Sequence, residues 1–157
     1  MTYLAQATML DLLQICQNAR PDEIEQYRAF SSLEWDPEMV ANDLFNRQGV
    51  SFSMVDDNLA FAVCGWEPII EGVWQAWMVG TMDNWEKYWR SITKLCRKTV
   101  AVMFAGETTR RLQISVLASR TKTCEWYVRG MKFKYESTLK NFGLNGEDIA
   151  IYVKFRE

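Results

Sequence analysis

The stretch VWQAWMVGTMDNWEKYWRSITKLCRKTVAVMFAG, residues 73–106, decides how this chain folds. Its first nine residues are apolar enough for a buried strand. Gly80 and Thr81 then make a turn, and beyond Asp83 the spacing becomes helical: Trp85, Tyr88, Trp89, Ile92, Leu95, Cys96, Thr99 and Met103 follow one stripe. Asp83 and Glu86 have the spacing of a capping box, and Gly106 ends the helix. A strand running straight into a helix leaves backbone amides free at the helix N-terminus, where ligands are commonly held. The other helix face carries Lys87, Arg90, Lys94, Arg97 and Lys98. It reads either as a solvated face or as a basic surface for an acidic partner or phosphorylated ligand.

Working outward from that stretch, residues 3–7 read as a first strand. Thr8 is placed to cap a helix over residues 9–18, with Met9, Leu12, Leu13 and Cys16 on one face. Pro21 fits the first turn of a second helix reaching about Phe30, with Asp22 and Glu23 beside its positive end. Asp36 and Pro37 repeat the start signal for a third helix, which Gly49 stops. Residues 50–55 alternate apolar and polar, residues 59–65 are almost continuously apolar, and Asp56-Asp57-Asn58 between them is turn chemistry. The pair therefore reads as a hairpin. Residues 66–72 read as a lead-in, a loop or strand end, to the strand at 73–81. After the long helix come a strand at 112–118, a short helix opened by Ser119 or Thr121 and closed by Gly130, and strands at 133–139 and 149–155. This order predicts an α+β (mixed α/β) fold in a single domain, residues 1–157.

A chain of 157 residues can bury one sizeable core. Its net charge of −2 does not mark a nucleic-acid binder. Histidine is absent, which removes Ser-His-Asp and Cys-His catalysis and histidine-ligated zinc. Any general acid or base must be Asp, Glu, Tyr, Cys, Lys or a water. Cys16, Cys64, Cys96 and Cys124 lie far apart without metal spacing, so no metal is expected. Cys124 reads as a small packed residue, because nothing in the sequence lowers its pKa. Neither a signal peptide nor a membrane span is visible, so a reducing cytoplasm is expected and no membrane partner. Seven tryptophans are unusual at this length, and they read as core fill or as an exposed patch for a ligand or partner.

The segment VLASRTKTCEWYVRGMKF, residues 116–133, together with the element order, resembles the GNAT family of N-acetyltransferases. In that family a late strand leads to a helix that bears a tyrosine and ends in Gly-x-Phe. Here Arg120 stands where Asn is usual, Thr123 replaces a small residue, and Tyr127 matches the tyrosine. Gly130 is followed by Met131 and then by Phe133. The Trp-rich fourth strand and Trp-bearing helix further resemble acetyltransferase-like proteins of short-tailed bacteriophages. The resemblance implies a central mixed, mostly antiparallel sheet flanked by helices, with strands 4 and 5 splayed to take acetyl-CoA or another acyl-CoA. It implies cofactor contacts at Met78, Val79, Gly80, Thr81, Asn84, Trp85, Ser119 and Arg120. It implies Tyr127 as the acid that protonates the leaving thiolate. For the base it implies Glu67 or Glu71, ahead of the fourth strand, with Glu71 preferred. The chain departs from the family at the pyrophosphate loop, which usually has basic residues and paired glycines. Residues 79–85 here are VGTMDNW, with Glu86 next. Each carboxylate near such an anion opposes binding by about 1 kcal/mol at ~4 Å in water.

Two function classes follow. The first is a phage-encoded, acyl-CoA-binding protein, an N-acetyltransferase acting on a host bacterial protein or metabolite in the host cytoplasm. The second is a catalytically silent module of the same shape that binds and modulates a host protein, or a virion component.

Overall fold

The structure, a computed structural model, describes residues 1–81 and 85–157, and of residue 85 the backbone alone. Its elements are β1 (Thr2–Gln6), α1 (Met9–Gln17), α2 (Pro21–Phe30), α3 (Pro37–Phe45), β2 (Val50–Asp56), β3 (Leu59–Ile70), β4 (Val73–Gly80), α4 (Trp85–Ala105), β5 (Arg111–Leu117), α5 (Thr121–Arg129), β6 (Lys134–Leu139) and β7 (Ile149–Phe155). The strands form a sheet in the order β1-β2-β3-β4-β5-β7-β6. Every neighbouring pair is antiparallel except β4 and β5, which are parallel. This is the mixed, mostly antiparallel sheet with flanking helices that the sequence predicts. Among the described residues no helix is long and apolar enough to cross a membrane.

Local chemistry accounts for most boundaries. The Thr8 hydroxyl accepts from the Asp11 N–H at 3.1 Å, and the Asp36 carboxylate accepts from the N–H groups of Glu38 and Met39 at 2.9 and 3.2 Å. Removing the second cap should be measurable: Asp36→Ala is expected to lower stability by about 1 kcal/mol in urea unfolding. Asp57 and Asn58 both take positive φ, +48° and +64°. Those angles suit a two-residue hairpin turn, whose twist matches the strands it joins. The predicted cap Asp83 lies outside the described residues.

One boundary differs from expectation. β3 does not end at Gly65 but continues through Trp66, Glu67 and Pro68 to Ile70, paired with β4 along its length. Pro68 fits because the register shifts between Pro68 and Ile70, a bulge where a missing N–H is tolerated. Trp66 holds the extension in the core, its indole N–H donating to Thr99 of α4 at 3.2 Å.

The two sheet faces are covered differently. Ile92, Leu95, Cys96, Val100 and Met103 of α4 pack on Cys64 and Trp66 of β3 and on Leu112, Ile114 and Val116 of β5. On the opposite face α1 and α3 pack over Ala60, Val63 and Val79. Helix α2 lies between two clusters on that face. Its Tyr27 joins the β3–β4 cluster, while Ala29 packs with Leu117, Ile151 and Val153 of β5 and β7. It therefore crosses the line where β4 and β5 separate.

Candidate functional site: a cleft between parallel strands

β4 and β5 pair only at Val73–Arg111, Trp74–Leu112 and Gln75–Gln113. Beyond Gln75 the strands part, although β4 stays paired with β3 as far as Gly80. The edge of β4 facing β5 is thus open over its last residues, and a cavity of about 370 Å³ fills the opening. Gln75 closes the base of the opening: its side-chain oxygen accepts from Gln113 Nε2 at 3.0 Å and from Ser115 Oγ at 3.2 Å. An unpaired backbone edge must find hydrogen-bond partners in water or in a ligand.

The two faces of the opening have opposite chemistry. Towards α4 and α5 it is lined by Met78, Cys96, Ile114, Trp126, Met131 and Phe133. Tyr127 adds a phenol on that side, its ring 5.9 Å from that of Tyr152. Burial pushes the Tyr127 phenol well above its usual range, with Arg120 opposing and Glu23 adding to the shift, so it remains protonated at neutral pH. Towards α2 and α3 the lining includes Glu23, Gln26, Tyr27, Trp35, Glu67 and Trp77. The Trp77 ring lies across β3 at Gly65, where an added Cβ would stand 2.3 Å from the indole. Only glycine permits that approach. Glu67 is half-buried, with Arg47 at 3.9 Å as a loose partner.

Helix α2 ties both lips of the opening. The Arg20 N–H donates to the Gly80 carbonyl at 3.3 Å on the β4 side. On the β5 side the Gln26 amide donates to Ser115 O at 3.1 Å and accepts from Leu117 N at 3.0 Å. A side-chain amide thus satisfies backbone groups that a neighbouring strand would otherwise pair. Glu23, 5% exposed, sits beside this junction between Arg120 at 3.3 Å and Arg20 at 3.8 Å. Burial raises its carboxyl above the usual range, and the two guanidinium groups pull against that rise.

The structure brings several predicted site residues together. Met78, Val79, Arg120 and Tyr127 all line the cavity. Arg120 turns its guanidinium towards Glu23 and Gln26. Gly80 and Thr81 are engaged elsewhere, through Arg20 N–H and through the Phe61 carbonyl, to which the Thr81 N–H donates at 3.2 Å. Ser119 is exposed past β5 and is not among the lining residues. Glu71 is exposed in the β3–β4 turn, its carbonyl accepting from Arg110 at 2.6 Å, and it does not line the cavity, whereas Glu67 does. The strand extension past Gly65 explains this: Glu71 sits in the hairpin turn, while Glu67 stands opposite Gln75. Asn84 and the side chain of Trp85 lie outside the described residues.

The tryptophans divide between the two readings. Trp66 is buried, Trp89 is 49% exposed, and Trp35, Trp66, Trp77 and Trp126 wall the cleft. The Trp126 indole donates to Thr93 of α4 at 2.8 Å. On the basic face, Arg97 donates to the Gly130 carbonyl, and Arg90 lies over the Trp89 ring at 5.2 Å. Cys124 is a packed thiol directed at the Leu117 carbonyl, and burial pushes the Cys16 thiol up to about 12. Sequence reasoning missed Gln26 and Gln75 and gave Glu23 only a helix-end role. Glu23, Gln26 and Tyr27 do share one face of α2 by helical spacing, but nothing local in the sequence marks the distant partners that bury them.

The same architecture occurs in solved acetyltransferases. The chain is similar to an N-acetyltransferase from Staphylococcus aureus, at 16% identity over 99% of this chain and 98% of that one, with a TM-score of 0.76. It is similar to a ribosomal-protein-alanine N-acetyltransferase from Brucella melitensis, at 14% identity over 98% and 99%, TM-score 0.73. It is also similar to a GNAT-family acetyltransferase from Streptococcus pneumoniae, at 12% identity over the whole of both chains, TM-score 0.70. No protein-family model matches the chain, and no curated protein matches it in sequence. At these identities the likeness defines the fold: the chain has the GNAT acetyltransferase fold.

Proposed function

We propose that the chain is an N-acyltransferase that holds acyl-CoA along the open edge of β4 and passes its acyl group to an amine entering from the α2–α3 side. The parting of β4 from β5 beyond Gln75 carries this reading, because it offers unpaired strand backbone beside an apolar wall. These features fit the amides and chain of a pantetheine arm. When bound, acyl-CoA supplies a thioester carbonyl for attack by the amine. Tyr127, protonated and on the α5 side, is placed to donate to the departing thiolate. Glu67, on the α3 side, is placed to take the proton from the amine, directly or through one water. Acid and base thus stand on opposite faces of the sheet, as a transfer through the gap requires. The acceptor is an amine of a bacterial host protein or metabolite, and the setting is the host cytoplasm of a bacteriophage.

The sequence immediately before α4 favours a second reading, a catalytically silent module that binds and modulates a host protein, or a virion component. Asp83 and Glu86 stand where the family's loop would cradle a pyrophosphate. Thermal melting separates the two. Acetyl-CoA at a hundred times its dissociation constant should add about 2.7 kcal/mol of stability. No melting shift at millimolar acetyl-CoA or free CoA would overturn the first reading.

A further inference from the structure

The net charge of −2 is the sum of two unlike surfaces. Residues 9–45, which form α1, α2 and α3, are rich in Asp and Glu, whereas residues 87–106 of α4 hold five cations and no carboxylate. Four of those cations, Arg90, Lys94, Arg97 and Lys98, are exposed and line one groove of about 520 Å³ on the outer face of α4. No carboxylate is among the described residues that line it. From Arg90 to Lys98 the row runs about 12 Å at the usual helix rise. Like charges at one-turn spacing oppose one another, and an extended anion that reaches all four relieves the repulsion.

The details favour a phosphodiester chain over an acidic protein segment. Arginine recognises carboxylates best through a two-pronged bond. Here Arg97 already donates from Nε and Nη2 to the Gly130 carbonyl, at 3.0 and 2.5 Å, and Arg90 lies over the Trp89 ring at 5.2 Å. Lys94 and Lys98 remain as point charges, which suit repeated phosphates and are depleted in protein interfaces. Trp89 lines the same groove and is 49% exposed. An exposed indole beside a row of cations is a platform on which an unpaired base stacks. A duplex keeps its bases paired and stacked on one another, out of reach of such a ring.

We infer that the outer face of α4 binds single-stranded nucleic acid, with phosphates along Arg90, Lys94, Arg97 and Lys98 and a base stacked on Trp89. This surface shares no lining residue with the cleft, so the inference stands apart from the acyl-transfer reading. Fluorescence anisotropy of the full chain with labelled oligouridylate and oligothymidylate dodecamers tests it, over about 25 to 200 mM salt. The logarithm of the affinity for at least one of the two should fall linearly with that of the salt concentration. A slope of about −2 to −3 corresponds to three or four neutralised phosphates. Replacing Lys94→Gln and Lys98→Gln together should roughly halve that slope. Trp89→Ala should weaken binding about tenfold and leave the slope unchanged, since stacking releases no counterions. A duplex of equal length should bind more weakly than the single strand. Four results would each overturn the inference: no binding of either dodecamer at the lowest salt, a duplex bound as tightly, a double glutamine variant that binds like the parent, or a glutamate dodecapeptide that displaces the oligonucleotide at equal concentration.

Discussion

Arg120→Met is expected to lower the unfolding free energy by about 3 kcal/mol at neutral pH, the lower end for breaking a buried ion pair. At this chain length that loss should appear as a fall of about 10 °C in melting temperature. The loss arises mainly from Glu23, which among the described residues keeps Arg20, at 3.8 Å, as its charged partner once Arg120 is gone. The pH dependence identifies the cause. Burial already raises the Glu23 carboxyl, and Arg120 is the stronger of the two cations that restrain the rise. A carboxyl whose folded pKa lies above its unfolded value contributes stability that is fully present below the ordinary glutamate range. That contribution is lost as pH rises through the folded value. Without Arg120 the folded value moves higher still, so the deficit against the parent should be largest on the alkaline side and shrink on acidification. Adding Glu23→Gln to Arg120→Met should recover most of the stability, since no buried charge is then left unpaired. A deficit that is flat with pH and unaffected by the second substitution would refute the account.

Tyr127→Phe is expected to reduce kcat by about a hundredfold, within the range for loss of a positioned acid. Its melting temperature should change little, because the ring and its contact with Tyr152 remain. Glu67→Gln should cost at least as much turnover. The two differ in their pH signatures. The Tyr127 phenol is raised by burial, so as an acid it is protonated across the neutral range and limits the rate only towards high pH. The alkaline limb of the pH–rate profile set by the phenol should therefore disappear in Tyr127→Phe and persist in Glu67→Gln. Wild-type turnover by a folded Tyr127→Phe protein would remove the phenol from the mechanism.

Local signals made much of the fold legible. Caps at Thr8 and Asp36, the Asp57-Asn58 turn and the periodicity of residues 85–105 operate within a few positions of one another. Hydrogen bonds over such short separations leave their pattern in the sequence. The end of β3 was not legible. Pro68 ordinarily argues against a strand, and only the bulge and the burial of Trp66 beneath α4 override it. The base candidate changes with that boundary, from Glu71 in the turn to Glu67 in the cleft. Tyr127 was readable because helix, tyrosine and glycine follow one another within residues 121–130. Glu23 and Gln26 were not, since their partners lie far along the chain: Arg120 is 97 positions from Glu23, and Leu117 is 91 from Gln26.

By itself, then, the sequence determined the order of strands and helices, the strand-to-helix passage at residues 73–106 and the tyrosine on α5. Periodicity and capping are properties of neighbours, and they survive without knowledge of the fold. Only the tertiary structure decided that β4 and β5 pair at three positions and then part, and that α2 crosses the opening. It also decided that tryptophans from four separate segments wall one cleft. Those outcomes depend on contacts between residues tens of positions apart, which the packing of the two sheet faces imposes and no local pattern encodes.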